Sequence, residues 1–555
     1  MNAAQEYERW RSLISDPELS NELSSMAADS AKIEDAFYRE LEFGTGGLRG
    51  VLGVGTNRMN IHTVTRATLG LAAYIKECGG SSAAIGYDTR INSLLFATTA
   101  ARVLAEDGIK AYLYSSPLPT PTLSYAVRKL GASAGIMITA SHNPKIYNGY
   151  KVYGSDGCQI TDAAAEKILA KIKAADYFVD SASSFDSLLA SGMIEYISDS
   201  VMDDYIADVG ATSVLFGDAA DKSVGIVYTP LNGTGYAPVS RILKENGFTN
   251  VAFVKEQTAP DGNFPTCPYP NPEMHEALEF GIRCMKESEA DILLATDPDS
   301  DRVGVAVKDG DGVRIFTGNE VGLLLFDYIA SQRKKHEKMP HAPLCVKTIV
   351  TTELAKSIAS EYGVSVFEVL TGFKYIGEKI GDLESQGSVD SYVFGFEESC
   401  GYLGGSYVRD KDGVFASLLV SEMAAFYKAK GLSLLDVLTN IYKKHGYAQN
   451  SLYSYSFSGS AGAKKMAGIM SLLRGGVPYI SGIRVSSTED FSKGLYGLPK
   501  SDVLRFNLEG KISAIVRPSG TEPKLKIYLS VSRADKREAE RITERIKSAF
   551  DEIMR

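Results

Sequence analysis

One pattern recurs three times along the chain: an apolar strand, a helix, a glycine turn and a second strand, followed later by a third apolar strand that ends on polar residues. The first copy contains SAAIGYDTR, EDGIKAYLY and GIMITASHNP; the second contains SVGIVYTPLNGTG, ENGFTNVAFV and ADILLATDPDSDR; the third contains PLCVKTIVTT, EYGVSVFEVL and SYVFGFEESCG. Short, non-alternating apolar strands between helical stretches are typical of buried sheets covered by helices. The pattern therefore predicts three similar α/β domains.

The chain after about residue 447 follows a different pattern. The stretch SLYSYSF alternates more strongly, and the loop RPSGTEPKLKIYLSVSR precedes a charged C-terminal helix, which favours an α+β domain. We expect boundaries near 210, 328 and 447, which divide the 555 residues into 1–210, 211–328, 329–447 and 448–555. The predicted fold class is α/β with four domains: three similar α/β domains with mixed sheets and a C-terminal α+β domain.

The amino-acid composition narrows the classes of partner that this protein is expected to bind. The six cysteines are scattered without a CxxC pair, which disfavours a disulfide framework or a zinc site and fits a reducing cytoplasm. The N-terminus is not that of a signal peptide, and no run of 18 apolar residues occurs, so we expect no membrane partner. A formal net charge of −9 disfavours nucleic acid. An anionic substrate must then be attracted by local positive charge.

The run DPDSDR predicts a site for a hard cation. In an extended segment, Asp297, Asp299 and Asp301 direct their carboxylates to one side, and such close like charges repel unless a cation lies between them. A calcium EF-hand would need Gly and Glu where Arg302 and Lys308 stand, so Mg²⁺ fits better. The alternative is a solvated acidic turn.

Ser141 and His142 follow the third strand of the first copy. A serine hydroxyl needs activation to act as a nucleophile, and the G-x-S-x-G elbow of serine hydrolases is absent here. Ser141 could equally be a helix cap or a turn residue, and His142 could be a plain hydrogen-bonding loop residue.

Other stretches carry groups suited to a phosphorylated sugar. In RPSGTEPKLKIY, the guanidinium of Arg517 with Ser519, Gly520 and Thr521 could cradle a phosphate, although a surface turn would look the same. In GFEES, carboxylates at a strand end could accept hydrogen bonds from sugar hydroxyls or form a solvated turn. The stretch SYVRDKDG supplies Arg409 and Lys411, and such a lysine carries protons only if its pKa is lowered.

Together, TASHNP, DPDSDR, GFEES and RPSGTEPK stand in that order, one in each predicted domain. This combination resembles the α-D-phosphohexomutase family, and the likeness covers essentially the whole chain. The stretch EFGTGGLRG (42–50) is similar to the N-terminal signature of that family. The stretch SHNPKIYNGYKVY is most similar to the branch that contains phosphoglucomutases and phosphopentomutases.

The resemblance implies a role for each matching residue. Ser141 would carry a phosphoryl group, and its phosphate oxygen with Asp297, Asp299 and Asp301 would hold Mg²⁺. His142, Arg49, Lys151 and Lys411 would assist phosphoryl and proton transfer. Substrate would be bound in a central cleft by residues of several domains: Arg302, Thr371, Gly372, Glu397, Ser399, Arg409, Arg517, Ser519, Gly520 and Thr521.

The activity that follows from this resemblance is interconversion of glucose 1-phosphate and glucose 6-phosphate, with glucose 1,6-bisphosphate as intermediate and activator. Phosphopentomutase and phosphomannomutase activities remain open, and so does a non-catalytic protein that binds sugar phosphates, since fold does not fix function. The expected partners are small sugar phosphates, and the expected state is a cytoplasmic monomer or homodimer.

Overall fold

The computed structural model describes residues 2–44, 46–179, 183–457, 459–519 and 524–555. In the first domain the strands are β1 Gly47–Val51, β2 Ser82–Tyr87, β3 Lys110–Leu113, β4 Ala134–Ile138, β5 Tyr147–Gly154 and β6 Ile194–Tyr196. Its helices are α1 Ala3–Leu13, α2 Pro17–Ser25, α3 Ser30–Phe37, α4 Ile61–Glu77, α5 Ser93–Glu106, α6 Thr120–Lys129, α7 Asp162–Ala174, α8 Phe185–Ala190 and α9 Asp199–Gly210.

The second and third domains repeat this layering with fewer strands. The second contains β7 Ile226–Thr229, α10 Tyr236–Glu245, β8 Val251–Phe253, α11 Lys255–Thr258, α12 His275–Glu287, β9 Ile292–Thr296, β10 Val303–Asp309 and β11 Gly312–Phe316. The third contains α13 Gly318–Lys335, β12 Leu344–Thr348, α14 Leu354–Tyr362, β13 Ser365–Val369, α15 Phe373–Ser385, a 3₁₀ turn Val389–Ser391, β14 Tyr392–Glu397, β15 Gly401–Leu403, α16 Gly413–Lys428 and α17 Leu434–His445.

The recurring sequence pattern appears in space as one recurring sheet. Three parallel strands and one antiparallel strand follow the order β3-β2-β4-β5 in the first domain, β8-β7-β9-β10 in the second and β13-β12-β14-β15 in the third. The prediction of three similar α/β domains with mixed sheets is confirmed. The polar loops after β4, β9 and β14 therefore leave equivalent strands, which places them at equivalent sheet edges.

The C-terminal domain is built on an antiparallel sheet, as an α+β domain predicts. Its elements are β16 Tyr447–Ser456, α18 Gly459–Arg474, β17 Tyr479–Ile480, β18 Ile483–Asp490, 3₁₀ turns Phe491–Lys493 and Leu495–Gly497, β19 Leu504–Leu508, β20 Ile512–Pro518, β21 Lys524–Arg533 and α19 Lys536–Met554. The strand order is β16-β21-β20-β19-β18-β17. None of the helices in the described ranges has the length and apolar character needed to cross a membrane.

The core supports the loops that follow these strands. Every residue of β4 and β9 is buried, and one continuous apolar cluster joins the first three domains, while most of the fourth domain's core is a separate cluster. Burying a Val, Leu or Ile side chain contributes about 1.5–3 kcal/mol, so these strands are rigid supports. The glycine turns of the three repeats, at Gly108, Gly247 and Gly363, are left-handed, with φ of 79°, 83° and 71°.

One expected boundary does not suit the structure. Residue 328 lies inside helix α13, which runs from Gly318 to Lys335. Its N-cap, Thr317, accepts a hydrogen bond from the backbone N–H of Glu320 and directly follows the last strand of the second sheet. A capped helix start is a natural junction, because a hinge within a helix would break its hydrogen bonds. We therefore place the second boundary near 317.

Candidate active site

The loop after β4 is held in a strained, well-anchored conformation. Ser141 has a φ of 52°, which is unusual for a residue with a side chain, and its backbone N–H donates to Thr139 Oγ1 at 2.8 Å. The Thr139 hydroxyl in turn donates to Asp88 at 2.6 Å. The fully buried guanidinium of Arg90 donates to the carbonyls of Ser141 and Asn143. These contacts turn the Ser141 side chain away from its own strand and fix its direction.

The hydroxyl of Ser141 meets the acidic loop of the second domain. Its Oγ donates to Asp297 Oδ2 at 2.8 Å and lies 3.2 Å from Nδ1 of His142. Burial and the positive charges of Arg302 and Arg49 lower the pKa of His142 well below its usual value. The imidazole beside Ser141 is therefore neutral at physiological pH.

The three aspartates predicted as metal ligands converge. All three side chains, those of Asp297, Asp299 and Asp301, are completely or almost completely buried. One carboxylate oxygen from each of them lies within 4.8 Å of the other two. Asp297 Oδ1 accepts from the backbone N–H groups of Asp301 and Arg302, which turns the loop back on itself. Oxygen ligands clustered in this way are those preferred by Mg²⁺.

Two orphaned atoms test whether a cation fits this site. In the described part of the chain, the buried Oδ1 atoms of Asp299 and Asp301 have no hydrogen-bond partner. Buried carboxylate oxygens without donors are costly unless a cation binds them. Burial and mutual repulsion also raise the pKa values of Asp297 and Asp301. The residues present therefore fit a hard divalent cation.

Two lysines from different domains flank the aspartates. Lys151 Nζ lies 2.9 Å from Asp299 Oδ2, and Lys411 Nζ lies 2.7 Å from Asp301 Oδ2. Burial alone would raise the pKa of Asp299, but these two ammonium groups hold it below its usual value. The carboxylates in turn raise the pKa values of both lysines although burial opposes this. The condition for a lysine proton carrier, a lowered pKa, is thus not met in this arrangement, and both ammonium groups can stabilise a phosphate.

Arg302 lies beside the same loop. Its Nε is 3.9 Å from Asp297 Oδ2 and 3.8 Å from Asp301 Oδ1, and its Nη1 is 3.3 Å from Glu273 Oε1. Glu273 comes from the loop before α12, and sequence reasoning assigned it no role. Arg302 thus remains charged at the floor of the cleft, with Glu273 as its partner.

The third domain contributes Glu397 at the end of β14. Glu397 is buried and Ser399 is half-buried two residues later. A Cβ at Gly401 would approach Lys411 Cδ to 2.6 Å and Glu397 Oε1 to 3.0 Å, so the glycine lets the backbone pass between these side chains. Burial raises the pKa of Glu397, and the charge of Lys411 opposes that shift. A carboxylate held in this way suits recognition of hydroxyl groups.

The expected phosphate-binding residues come from two domains. Gly372, with φ of 121°, precedes the first turn of α15, and the half-buried Thr371 has a hydroxyl without a hydrogen-bond partner in the described residues. Burial raises the pKa of Tyr375 in α15, and the positive charge of Arg517 opposes this. The positive charge of Arg517, in the fourth domain, thus acts on the first turn of α15, an arrangement suited to an anion. Ser519 is half-buried beyond it; Gly520 and Thr521 lie outside the described residues.

Arg49 lies at the mouth of the site, and Arg409 does not reach it. The exposed Arg49 donates through Nη1 to Asn143 Oδ1 at 3.1 Å, which places a guanidinium beside the Ser141 loop. Arg409 is completely buried, with Nη2 2.8 Å from Glu384 Oε2, and it also donates to the carbonyl of Ser406. The Arg409 guanidinium thus pairs with Glu384, and its neighbour Lys411 is the residue of this stretch that faces the aspartates, so substrate binding by Arg409 stays a prediction.

Sequence reasoning missed several supporting residues. Thr120, at the start of α6, donates its backbone N–H to the Asp299 carbonyl at 2.8 Å and its hydroxyl to Asp299 Oδ2 at 2.9 Å. Asp88 and Arg90 anchor the Ser141 loop. The sequence does point to Asp88 and Arg90, because they lie in YDTR, where the first strand of the first repeat ends on polar residues. No such pattern points to Thr120, in a proline-rich turn.

Comparison with known families covers most of the chain. Four profiles match in order, described as phosphoglucomutase/phosphomannomutase alpha/beta/alpha domain I at residues 40–178, domain II at 203–310, domain III at 317–445 and the C-terminal domain at 477–549. The fold and the site thus define a four-domain phosphosugar mutase architecture. The chain belongs to the phosphoglucomutase/phosphomannomutase family, the α-D-phosphohexomutases.

Individual relatives agree with this assignment. The chain is 36% identical to a phosphoglucomutase of Staphylococcus haemolyticus over 513 residues (90% of this chain, 92% of that protein) and 38% identical to one of Staphylococcus aureus over 518 residues (90% and 91%). The structure of a phosphoglucomutase/phosphomannomutase family protein from Burkholderia thailandensis has a TM-score of 0.69 at 18% identity, covering 92% of this chain and 97% of that one. Parafusin, a phosphoglucomutase from Paramecium in its open form, has a TM-score of 0.69 at 17% identity, covering 93% and 95%. The chain is a phosphohexomutase, an isomerase.

Proposed function

We propose that the protein is a Mg²⁺-dependent phosphoglucomutase that interconverts glucose 1-phosphate and glucose 6-phosphate through a phosphorylated Ser141. The observation that carries the proposal is the position of the Ser141 hydroxyl, 2.8 Å from a buried carboxylate of a three-aspartate cluster. Curated relatives named phosphoglucomutase over nine-tenths of the chain support the choice of glucose.

The transfer step follows from the groups around Ser141. The bond between phosphorus and the Ser141 oxygen breaks as phosphorus bonds to the free hydroxyl oxygen of the sugar phosphate, which produces glucose 1,6-bisphosphate. The proton of that hydroxyl passes to the Ser141 oxygen, which leaves Ser141 as a free hydroxyl. After the bisphosphate reverses in the cleft, its other phosphoryl group returns to Ser141 and regenerates the enzyme. Such transfers depend mainly on positioning and on stabilisation of negative charge. Lys151, Lys411 and Arg302 supply that positive charge at the cleft floor.

Asp297, Asp299 and Asp301, with an oxygen of the phosphoryl group on Ser141, would hold the magnesium ion. When bound, Mg²⁺ neutralises the charge of a phosphoryl group during transfer. Thr120 orients Asp299 through two hydrogen bonds, and the Arg90 contacts hold the Ser141 loop still. Both therefore serve as positioning residues.

The other end of the substrate would be bound by the third and fourth domains. Glu397 and Ser399 would accept hydrogen bonds from the sugar hydroxyls, and Arg517, Ser519, Gly520 and Thr521, with Thr371 and Gly372, would bind the phosphate that is not reacting. The distribution of these groups over several domains suits a cleft that closes around the bisphosphate and excludes water, which would otherwise hydrolyse phosphoserine.

The deciding experiment is transfer of label from glucose 1,6-bisphosphate. The wild-type protein should acquire acid-stable phosphate on the peptide that contains Ser141, and Ser141→Ala should lose the label and nearly all turnover. Ser417→Ala is a matched control, because Ser417 is equally buried but donates to Gly413 within its own helix. Label on any residue other than Ser141 would contradict the proposed mechanism.

A further inference from the structure

A cavity lies away from the proposed transfer site. It has a volume of about 330 Å³ and is formed by α6, the end of α9, helix α13 and the loop 404–407, so that elements of the first and third domains meet there. This volume is at the small end of the range for small-molecule sites. None of the residues that line it belongs to the proposed transfer site.

One wall of the cavity carries a positive charge without a partner. Arg333 is half-buried, and in the described part of the chain its Nε has no hydrogen-bond partner and its guanidinium forms no ion pair. Burial lowers the pKa of Arg333, and no acidic neighbour offsets that effect. Partial burial of a cation without a counter-charge is unfavourable unless a ligand supplies one.

The other charged groups that line the cavity already have partners. Glu384 is shared by two arginines, with Oε1 2.8 Å from Arg128 Nη2 and Oε2 2.8 Å from Arg409 Nη2. Asp208 accepts a hydrogen bond from Tyr125 at 2.8 Å. Among the residues that line the cavity, Arg128 and Arg333 thus stand against Glu384 and Asp208, and Arg333 is the lining guanidinium that pairs with neither carboxylate.

The loop beside Arg333 offers further donors. In the described structure, the backbone N–H groups of Gly405, Ser406 and Tyr407 donate no hydrogen bond to the protein. The φ of 125° at Gly405 is one that side chains rarely adopt, so this bend requires glycine. Successive free N–H groups form concavities that bind anions.

We infer that this cavity binds the phosphate group of a small molecule, held between the Arg333 guanidinium and the N–H groups of residues 405–407. A volume of about 330 Å³ admits inorganic phosphate or a small monophosphate ester, and both present the same oxyanion. The inference goes beyond the proposed function, and only the cleft site used for comparison in the test rests on that function.

Two short connections join the cavity to the aspartate cluster. The loop continues from Tyr407 to Lys411, whose ammonium group is 2.7 Å from Asp301. Helix α6 carries Arg128 in its last turn and Thr120, which binds Asp299, at its start, and its 10 residues span about 15 Å. A ligand in the cavity therefore contacts the two elements that position the cleft's cations and carboxylates.

Calorimetric titration with inorganic phosphate tests the site. The wild type should show two sites, one in the cleft and one in the cavity. Arg333→Gln should weaken the cavity site about ten- to hundredfold, the loss expected for hydrogen bonds to a charged group, and leave cleft binding unchanged. Arg517→Gln should weaken only the cleft site. Lys334→Gln, which removes the same charge from the next residue of α13, should change neither, because Lys334 Nζ donates to Glu361 O outside the cavity.

Identical phosphate binding by wild type and Arg333→Gln would overturn the inference, and so would loss of all binding in Arg517→Gln. Thermal melting of each variant establishes that the fold is intact. A second measurement is independent of mutation: crystals of the wild type soaked in selenate should show anomalous density beside Arg333, and its absence at saturating selenate would also overturn the inference. Repeating the titration of Arg517→Gln with glycerol 3-phosphate distinguishes the sources, since tighter binding than inorganic phosphate indicates an ester and equal binding indicates the free ion.

Discussion

Ser141 Oγ donates a hydrogen bond to Asp297 Oδ2 at 2.8 Å, although the two residues are 156 positions apart and lie in different domains. Both stand at the ends of central parallel strands, β4 and β9. The contact places two functional groups side by side. One is a hydroxyl that could carry a phosphoryl group, and the other is a carboxylate that could bind a metal.

Replacing Asp299 by Asn should weaken Mg²⁺ binding and turnover together, because one anionic ligand is lost while the shape of the side chain is kept. We expect a loss of at least about tenfold in both, the size typical for a hydrogen-bonded charged group. Calorimetry with Mg²⁺ and initial rates after EDTA treatment measure the two effects. Asp203→Asn is the control, since Asp203 is exposed and pairs with Arg241 on the surface. Full activity in metal-free protein would refute the metal role.

Thr120→Val should raise the Mg²⁺ concentration needed for half-maximal activity by about tenfold. The substitution keeps the shape of the side chain but removes its hydrogen bond to Asp299 Oδ2, which leaves that carboxylate free to rotate. Thr122→Val is a matched control two residues along the same helix, because its hydroxyl donates only to the carbonyl of Pro119. Equal Mg²⁺ dependence in the two variants would show that Thr120 does not orient Asp299.

Sugar preference should follow the groups that Glu397 and Ser399 contact. We propose that Glu397 and Ser399 contact the hydroxyls at C3 and C4. Glucose and mannose differ only at C2, so mannose 1-phosphate should be used with a modest penalty. Ribose 1-phosphate should be poorer than mannose 1-phosphate by about ten- to hundredfold, because a pentose lacks some of these contacts. Values of kcat/KM, with the matching bisphosphate as primer, decide this. A ribose rate equal to or above that for glucose would identify a phosphopentomutase.

Glu397→Gln tests the same contact from the protein side. It should lower kcat/KM for glucose 1-phosphate about ten- to hundredfold and leave the Mg²⁺ affinity unchanged, because Glu397 is not among the clustered metal ligands. Measuring kcat/KM and Mg²⁺ binding on one preparation separates the two roles. A parallel loss of Mg²⁺ binding would place Glu397 in the metal site instead.

A buried ion network joins the third and fourth domains. Glu368 lies 2.8 Å from Lys347 Nζ, which is fully buried, and 3.2 Å from Arg505 of β19. Glu368→Gln should destabilise the protein by about 3 kcal/mol, since it leaves buried cations with less compensation. Urea unfolding measures the loss. Arg241→Gln, which breaks exposed pairs, should cost less than about 1 kcal/mol.

This stabilisation should depend on pH with a definite sign. Burial raises the pKa of Glu368, but the positive charges of Lys347, Arg505 and Lys356 lower it by more. The pKa of Glu368 in the folded protein therefore lies well below its usual value. A carboxyl with a depressed folded pKa stabilises the protein above its unfolded pKa of about 4.3, and this contribution is lost as the pH falls toward the folded value. The difference between wild type and Glu368→Gln should therefore shrink below about pH 4.3. A difference that stays constant from pH 7 to pH 3 would contradict the assigned ionisation.

Much of the fold was predictable, because buried parallel strands leave a signal in consecutive residues. The strands quoted for the three repeats all form, and their glycine turns are left-handed. The second boundary was misplaced because the long helix α13 begins at Gly318, ten residues before 328. A helix start is encoded by a few capping groups, here Thr317 and Glu320, which are easily overlooked.

By itself, the sequence determined the local chemistry: a serine at a strand end, three alternating aspartates, and carboxylate and arginine loops in a fixed order. Only the tertiary structure decided which of these groups meet. It brought Ser141 to Asp297 and Thr120 to Asp299, and it turned Arg409 toward Glu384. The physical reason is that strand patterns depend on neighbours along the chain, whereas partners of buried charged groups depend on how whole domains pack, which consecutive residues do not record.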